Sequence, residues 1–293
     1  KRTAIAIGQS ALLSVADKKI RKTGLDASED FLNMFDFNII HGSREDALDD
    51  LMSIVLTQST AVALFGTDDV VGKMVSVKIE NTEELKVTAV IADPPLNSSF
   101  NLKFILTFAY FERTAPWLSY AKDNWSNNSF TMYTELQPQT DKKSVDFFIK
   151  DLIKKKSSTT IDAELFLHPM SRWRLYNNFE NGKEAGGLID YVIMFSCIGV
   201  FILVMACINF MNLATARSQQ RAREVGVRKS IGSTRVQLIF QFIGESVIMA
   251  AISLIAGIVI VELVLPYYNT LINKSLVIDF TSGIFWIFST GLI

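Results

Sequence analysis

The chain has 293 residues, 49% of them hydrophobic, and a formal net charge of −1. The charge is unevenly divided: residues 1–190 carry 22 basic and 26 acidic residues, whereas residues 191–293 carry the remaining 7 and 4. No basic patch interleaved with aromatic residues occurs, which argues against nucleic-acid binding. We therefore predict two domains in different solvents, an aqueous domain over residues 1–187 and a membrane domain over residues 188–293.

The first domain alternates strand and helix signals, which predicts an α+β fold. The predicted strands are residues 11–16, 20–25, 53–57, 74–79, 85–92, 102–108, 130–136 and 163–168. The first two are expected to form a hairpin around Asp17-Lys18-Lys19, and the alternation of 74–79 and 85–92 predicts a second hairpin. A short helix over residues 31–35 is expected to follow an N-cap at Ser28, and a second helix to run from an N-cap at Ser59 to a stop at Gly66. Residues 142–156 predict an amphipathic helix with apolar positions Val145, Phe148, Ile149, Leu152 and Ile153.

The second domain predicts membrane spans. Residues 191–216 contain no Asp, Glu, Lys or Arg, and as a helix they would be about 39 Å long, enough to cross a bilayer. A second span is expected over residues 236–265, ending before Pro266, and the start of a third at residue 283. Because the chain begins without Met and stops early in this third apolar stretch, we expect a fragment that lacks a helix at each end.

The loop between the first two spans, residues 217–235, contains six Lys or Arg and one acidic residue, Glu224. A short basic loop between two spans is placed in the cytoplasm by the positive-inside rule. The topology then puts residues 1–190 on the other side of the membrane.

Catalytic motifs are absent from the sequence. His41 and His168 stand in no metal-ligand spacing, and no P-loop, G-x-S-x-G or G-x-G-x-x-G occurs. Cys197 and Cys207 are ten residues apart on one predicted helix, too far for a disulfide. We expect no catalytic residue, no metal and no bound cofactor, and therefore no enzyme in this chain.

The basic loop mixes charged and apolar residues in a way that predicts a short amphipathic helix on the inner membrane face, followed by a bend. The functional interpretation is a lever that docks on a cytoplasmic partner and couples its movement to the spans. The residues of this coupling site are Arg223, Glu224, Val225, Gly226, Val227, Arg228, Lys229, Ile231, Gly232 and Ser233. Glu224 and Arg228 are four residues apart, so they can pair with each other or with a partner protein. The simpler alternative is a loop that only sets membrane orientation.

Small and polar residues recur inside the two spans, a pattern typical of close helix packing and interhelical hydrogen bonds. The predicted packing residues are Asn209, Asn212, Glu245, Ser246, Ala250, Ser253 and Gly257. The alternative is a path for an ion or a substrate, because an acidic side chain such as Glu245 is costly at this depth unless it is paired or near the interface.

Residues 206–232, ACINFMNLATARSQQRAREVGVRKSIG, followed by QFIGES at 241–246, resemble the FtsX-like permease family, in particular ABC-transporter permeases of the kind abundant in Bacteroidota. Three segments of the first domain, ASEDFLNMFDF (27–37), IVLTQSTAVALFGTDDVVGK (54–73) and NWSNNSFTMYTELQ (124–137), resemble the MacB-like periplasmic core domain. Nearly the whole chain is covered.

This resemblance implies a porter-like α+β periplasmic domain with a small inserted subdomain, followed by transmembrane helices. It implies that loop 217–235 is a coupling helix seated on a separate ABC ATPase subunit, which binds the ATP. It also implies a second permease half or a homodimer, and a periplasmic adaptor or outer-membrane channel as further partners. The localisation that it implies is a bacterial inner membrane, with several spans in contact with lipid and the large domain in the periplasm. A MacB-type exporter carries its own ATPase domain, and nothing here is nucleotide-binding.

The resemblance predicts a permease subunit that transmits ATPase motion through the coupling helix to the periplasm, for efflux of drugs or peptides. Lipoprotein release and mechanical activation of cell-wall hydrolases are the alternatives within the family. A membrane sensor receptor is the alternative from another class, but a receptor would continue into a signalling region, whereas this chain re-enters the membrane after 19 residues.

Overall fold

The computed structural model describes residues 2–95, 98–121, 124–125, 127–157, 162–232, 234–272 and 276–291. The chain divides into two compact units, Lys1–Asp190 and Tyr191–Ile293. The first unit is a mixed α+β domain, and the second is helical.

The strands of the first unit are β1 (Thr3–Val15), β2 (Lys18–Ala27), β3 (Ile39–Gly42), β4 (Ser53–Thr57), β5 (Met74–Lys78), β6 (Thr82–Ile91), β7 (Phe104–Thr107), β8 (Thr131–Thr134), β9 (Phe179–Glu180) and β10 (Lys183–Glu184). Its helices are α1 (Phe31–Met34), α2 (Gln58–Phe65), α3 (Phe108–Thr114), α4 (Leu118–Ala121), α5 (Lys142–Ile149) and α6 (Leu152–Lys156), with a 3₁₀ turn at Met170–Arg172.

Eight strands form one sheet in which the hydrogen-bonded path closes on itself. The path runs β2-β7-β4-β6-β5-β1-β8, and β1 also pairs with β2. Residues 12–14 of β1 pair with β2 on one side and with β5 on the other. Six strands therefore make a closed ring, with β8 paired to the first half of β1 and β3 paired to β6. Closure leaves few unpaired strand edges.

The hairpin predicted from residues 11–16 and 20–25, around Asp17-Lys18-Lys19, is confirmed as β1–β2, with longer strands and a turn one residue earlier. Val15 pairs with Lys18, so the connection is a two-residue turn, Ala16-Asp17. Ala16 has a φ of 49°, the left-handed conformation that such tight hairpin turns require. The second predicted hairpin is β5–β6, and the predicted strand at residues 53–57 has the bounds of β4.

The strands of the sheet contribute to two main apolar clusters, and β7 shows the alternation. Phe104 and Leu106 belong to a cluster that also includes residues of α2, whereas Ile105 belongs to a cluster around α1. Where β2 runs beside β7, Gly24 permits a close approach, because a Cβ there would lie 2.3 Å from the carbonyl oxygen of Phe104. A third, smaller cluster around Phe111 includes side chains from α3 and α4.

Among the described residues of this domain, one carboxyl group is buried. Asp26 on β2 is fully buried, and its Oδ2 accepts a hydrogen bond of 3.0 Å from Nε2 of Gln9. Its other oxygen, Oδ1, has no partner among the described residues. Burial raises the pKa of Asp26 to about 7, more than the hydrogen bond from Gln9 lowers it.

Two predicted helix caps are wrong. Asp30 and not Ser28 precedes α1, and the Ser28 hydroxyl accepts a hydrogen bond from the amide of Ile5 on β1. Thr57 precedes α2, and the predicted cap, Ser59, donates its amide to the Asp93 carboxylate at 2.8 Å. Tertiary contacts replace the local caps in both cases. The predicted stop at Gly66 is confirmed, with a φ of 82°.

The last part of the domain also differs from the prediction. The expected helix over residues 142–156 is two helices, α5 and α6, that break at Lys150-Asp151. The expected strand over 163–168 is not a strand, because its amides bond elsewhere: Leu165 donates to the Lys150 carbonyl and Leu167 to the Asp146 carboxylate. These two amides are therefore not available for pairing with a neighbouring strand.

The second unit consists of α7 (Leu188–Ser230), which starts in the last residues of the first unit, α8 (Arg235–Ile272) and α9 (Gly283–Gly291). Two windows, Leu188–Arg217 and Arg235–Leu271, are long and apolar enough to cross a membrane. The expected end of the second span before Pro266 is wrong, since α8 continues through this proline. A proline is tolerated in membrane helices when other groups compensate for the missing amide hydrogen bond.

Candidate coupling segment

The predicted coupling loop is mostly helical, but it is not a separate helix. α7 runs without interruption from Leu188 to Ser230, which is 43 residues or about 65 Å. Its last 13 residues extend about 20 Å beyond the end of the apolar window at Arg217. The expectation of a short independent helix is therefore wrong, because no helix-breaking residue lies between the span and the basic residues.

A tight turn follows α7. The amide of Ile231 donates to the Val227 carbonyl at 3.3 Å, and the amide of Gly232 donates to the Lys229 carbonyl at 3.2 Å. Gly232 has a φ of 102°, a conformation that side-chain-bearing residues rarely adopt. The predicted bend at Gly232 is thus confirmed, and Ser233 lies outside the described residues.

α8 begins with a reciprocal cap that the sequence analysis missed. The amide of Thr234 donates to Oε1 of Gln237 at 3.0 Å, and the amide of Gln237 donates to Oγ1 of Thr234 at 3.4 Å. This is the capping-box arrangement, in which two residues three apart satisfy each other's free amides at a helix start. The T-x-x-Q spacing was available in the sequence as a signal.

Arg228 makes two side-chain hydrogen bonds, one within α7 and one to α8. Its Nη2 donates to Oε1 of Glu224 at 2.6 Å, so the two residues predicted to pair do pair with each other. Its Nη1 donates to Oε1 of Gln241 on α8, a partner that the sequence analysis did not identify. The guanidinium group of one arginine therefore joins the end of α7 to the second turn of α8.

The other predicted coupling residues that the structure describes are exposed or half-buried. Val225 is half-buried, Gly226 and Lys229 are exposed, and the side chains of Val227 and Ile231 are 55% and 80% exposed. A shallow groove of about 370 Å³ is lined by Arg223, Glu224, Val227 and Arg228. The surface of the segment thus combines cationic groups with exposed aliphatic side chains.

The predicted packing residues are only partly brought together. Asn209 and Asn212 are exposed on α7. On α8, Ser246 and Ala250 are half-buried, whereas Ser253 and Gly257 are exposed, and a Cβ added at Gly257 would meet no described atom within 4 Å. The hydroxyl of Ser246 bonds to the Phe242 carbonyl of its own helix. Glu245 takes part in an interaction and is exposed.

The fold and the segment define a class of protein: an α+β domain followed by membrane-length helices, with a basic helical extension and tight turn between the first two. Residues 3–152 match the family model of the MacB-like periplasmic core domain, and residues 196–293 match that of the FtsX-like permease C-terminal region. The chain therefore belongs to the FtsX-like permeases that carry a MacB-like periplasmic core domain.

Individual relatives agree with this assignment. The macrolide export ATP-binding/permease protein MacB of Aggregatibacter actinomycetemcomitans is 23% identical over 262 residues, covering 86% of this chain and 37% of that protein. MacB of Campylobacter jejuni is 33% identical over 79 residues, covering 27% of this chain and 12% of that protein. The chain thus spans well under half the length of these relatives.

Among solved structures, the periplasmic region of MacB from Actinobacillus actinomycetemcomitans is similar, with a TM-score of 0.40 and 17% identity. The match covers 54% of this chain and 69% of that one.

Proposed function

We propose that the chain is the permease subunit of an ABC transporter in the inner membrane of a Gram-negative bacterium. ATP is bound and hydrolysed by a partner subunit, so this chain needs no cofactor of its own. Closure of the ATPase moves the basic segment, residues 217–235, and the spans carry that movement to the periplasmic domain. Membership of the FtsX-like permeases supports this proposal.

One observation carries the proposal: α7 is a single helix from Leu188, in the last residues of the periplasmic unit, to Ser230 in the basic segment. A continuous hydrogen-bonded helix resists compression along its axis, so a displacement at one end reaches the other end without a hinge in between. A loop that only set membrane orientation would not need this continuity.

The assembly that we propose contains an ABC ATPase and either a second permease half or a second copy of this chain. A periplasmic adaptor or outer-membrane channel completes it if the work is efflux. Efflux of drugs or peptides is the favoured activity because two relatives that match over 262 and 278 residues are macrolide export proteins. Lipoprotein release and activation of cell-wall hydrolases are the other outcomes of the test below.

The test interrupts the helix between the span and the turn. Ala222 lies in the exposed extension of α7, and Ala222→Pro removes a backbone amide and kinks the helix at a cost of about 3 kcal/mol. We expect the variant to insert and to bind its ATPase, while export by the reconstituted transporter is lost and ATP hydrolysis persists. Export is measured with a labelled macrolide in proteoliposomes.

Ala222→Ser is the matched control, since it changes the same position and keeps the amide. Normal export by Ala222→Pro would contradict transmission along α7. If the wild-type transporter hydrolyses ATP but moves no macrolide, the activity is instead one of the two alternatives. Assays for release of a lipoprotein and for stimulation of a murein hydrolase would then distinguish them.

A further inference from the structure

The contacts of Arg228 lie within the chain. One guanidinium nitrogen bonds to Glu224, one turn earlier on α7, and the other bonds to Gln241, 13 residues later on α8. Both acceptors are oxygens of flexible side chains, and the three residues are all partly exposed. An exposed ion pair contributes little to the free energy of folding. We therefore look for the role of these contacts in how they position α7 and α8.

The turn that the arginine spans is itself well defined. Gly232 is in a conformation that favours glycine, and Thr234 and Gln237 cap the start of α8 reciprocally. The Arg228–Gln241 bond joins the last turn of α7 to the second turn of α8. A side-chain bond at this place restricts how far the start of α8 can move away from the end of α7.

A second surface lies beside this contact on α7. Arg223, Val227 and Ile231 follow one another at intervals of four residues, which places the first two on one helix face and the third just beyond the helix end. Val227 and Ile231 are 55% and 80% exposed, and among the described residues Arg223 makes no hydrogen bond or ion pair. We call these three residues the outer strip.

The outer strip begins six residues past Arg217, or about 9 Å along the helix, which exceeds the polar layer of roughly 5–8 Å on each side of a bilayer core. A protein is therefore a better occupant than lipid. The exposed aliphatic pair next to an arginine, in a segment with six basic residues and one acid, is complementary to an apolar contact edged by carboxylates.

We infer that the segment divides its work: Glu224, Arg228 and Gln241 form an internal clasp that holds the turn in shape, and the outer strip is the surface that meets the partner. The partner is a protein with an apolar patch edged by carboxylates. That this protein is the ATPase rests on the function proposed above, whereas the clasp does not depend on it. Arg228 is on this view a positioning residue and does not contact the partner.

The clasp is tested by replacing it with a covalent link in the full-length permease. In a background of Cys197→Ser and Cys207→Ser, the pair Arg228→Cys and Gln241→Cys is joined by a short bismaleimide; the control pair is Arg223→Cys and Gln241→Cys. We expect fast linking of the first pair, and linking of the second at least about tenfold more slowly. We also expect the unlinked first pair to stimulate the ATPase poorly, and the link to restore stimulation.

This restoration separates positioning from contact. If Arg228 touched the partner, the linked protein, which lacks the guanidinium group, would remain inactive, and the clasp would be refuted. Equal linking rates for the two pairs would refute it as well. Neither result depends on the identity of the transported substrate.

The outer strip is tested by binding of the purified ATPase subunit. Arg223→Glu and Val227→Asp should each weaken binding about tenfold or more, because a carboxylate replaces a group that meets carboxylates or an apolar patch. Arg235→Glu is the control, since it makes the same change of charge in the segment outside the strip. Unchanged binding by both strip variants overturns the assignment.

Two further outcomes are distinct. If the strip variants bind the ATPase normally but lose affinity for vesicles of phosphatidylglycerol, the strip is a lipid surface, and our choice of a protein partner is wrong. If the wild-type permease binds no ATPase at all, the proposed function fails, and the linking experiment still decides whether the clasp exists.

Discussion

The two units of this protein use apolar residues in opposite ways. The periplasmic unit buries them around a closed sheet: Phe31, Ile54 and Phe104 are fully buried. In the second unit, by contrast, the most apolar 18-residue stretch of each long helix has no buried residue, and side chains such as Phe201 are largely exposed. The first unit therefore buries an apolar core within the chain, whereas the long helices of the second leave most of their apolar surface uncovered. The same kind of substitution should therefore have different effects on stability in the two units.

The largest expected effect concerns topology, which is an all-or-none property. Six basic residues in the 217–235 segment predict that this segment is inside and that residues 1–190 are outside. We expect a membrane-impermeant thiol reagent to label Ser99→Cys in intact cells and not Ser230→Cys. Labelling of Ser230→Cys alone would reverse this topology, with the segment outside and residues 1–190 inside.

Truncating a core aromatic residue should unfold the periplasmic unit selectively. Phe31 packs against the rings of Phe35, Phe37, Phe100 and Tyr133. We expect Phe31→Ala to lower the free energy of unfolding of this unit by about 3–5 kcal/mol, measured by denaturant titration of tryptophan fluorescence in nanodiscs.

The matched change in the membrane unit is Phe201→Ala, at a side chain that is 73% exposed on α7. It should leave the same titration unchanged. If Phe201→Ala destabilised the periplasmic unit as much as Phe31→Ala does, the stability of that unit would depend on side chains of the membrane unit.

Asp26 predicts a pH dependence confined to the periplasmic unit. Its pKa is about 7 when folded and near the ordinary 3.8 when unfolded, so between these values the native state holds a proton that the unfolded state lacks. The free energy of unfolding should then fall as the pH rises from about 4 to about 7, by up to about 4 kcal/mol, and level off above.

Asp26→Asn mimics the protonated side chain and should flatten this slope, with the largest gain in stability above pH 7. Asp17→Asn, in the exposed hairpin turn, is the control. A slope that survives in Asp26→Asn would assign the dependence to other groups.

The smallest expected effect concerns helix packing in the membrane unit. A side chain at Gly257 meets open space within the described chain, so Gly257→Leu should not disturb the fold of α8. If the small residues contact another helix, however, it should weaken assembly of the permease by roughly 1 kcal/mol, measured by crosslinking in bilayers. Normal assembly of both Gly257→Leu and Ala250→Leu would show that these small residues do not form a helix contact.

The elements that could be predicted from the sequence are those with local causes. The two hairpins follow from alternation and a turn, and the long helices follow from uncharged apolar stretches. The Glu224–Arg228 pair follows from its spacing, and the stop of α2 follows from Gly66. In each case the residues that decide the structure lie within a few positions of one another.

What could not be predicted depends on residues distant in sequence. The start of α2 is set by Asp93, whose carboxylate accepts from Ser59 and pairs with Lys103 at 2.5 Å. Burial alone would raise the pKa of Asp93, but these hydrogen bonds keep it below the usual value. The Gln241 contact of Arg228 was hidden for the same reason, because its existence depends on how sharply the chain turns at Gly232.

The closed sheet has a consequence for the order of folding. β1 and β2 are neighbours in sequence, so the hairpin of residues 3–27 forms without a large loop-closure cost. The ring closes only when β5 reaches the other edge of β1 and β7 reaches β2, contacts that span about 60 and 80 residues. Such non-local pairings slow folding. During synthesis, the outer edge of β1 has no partner until β5 is available at residue 78, and the outer edge of β2 has none until β7 is available at residue 107. Unpaired strand edges favour aggregation, so the domain is most exposed to it in that interval.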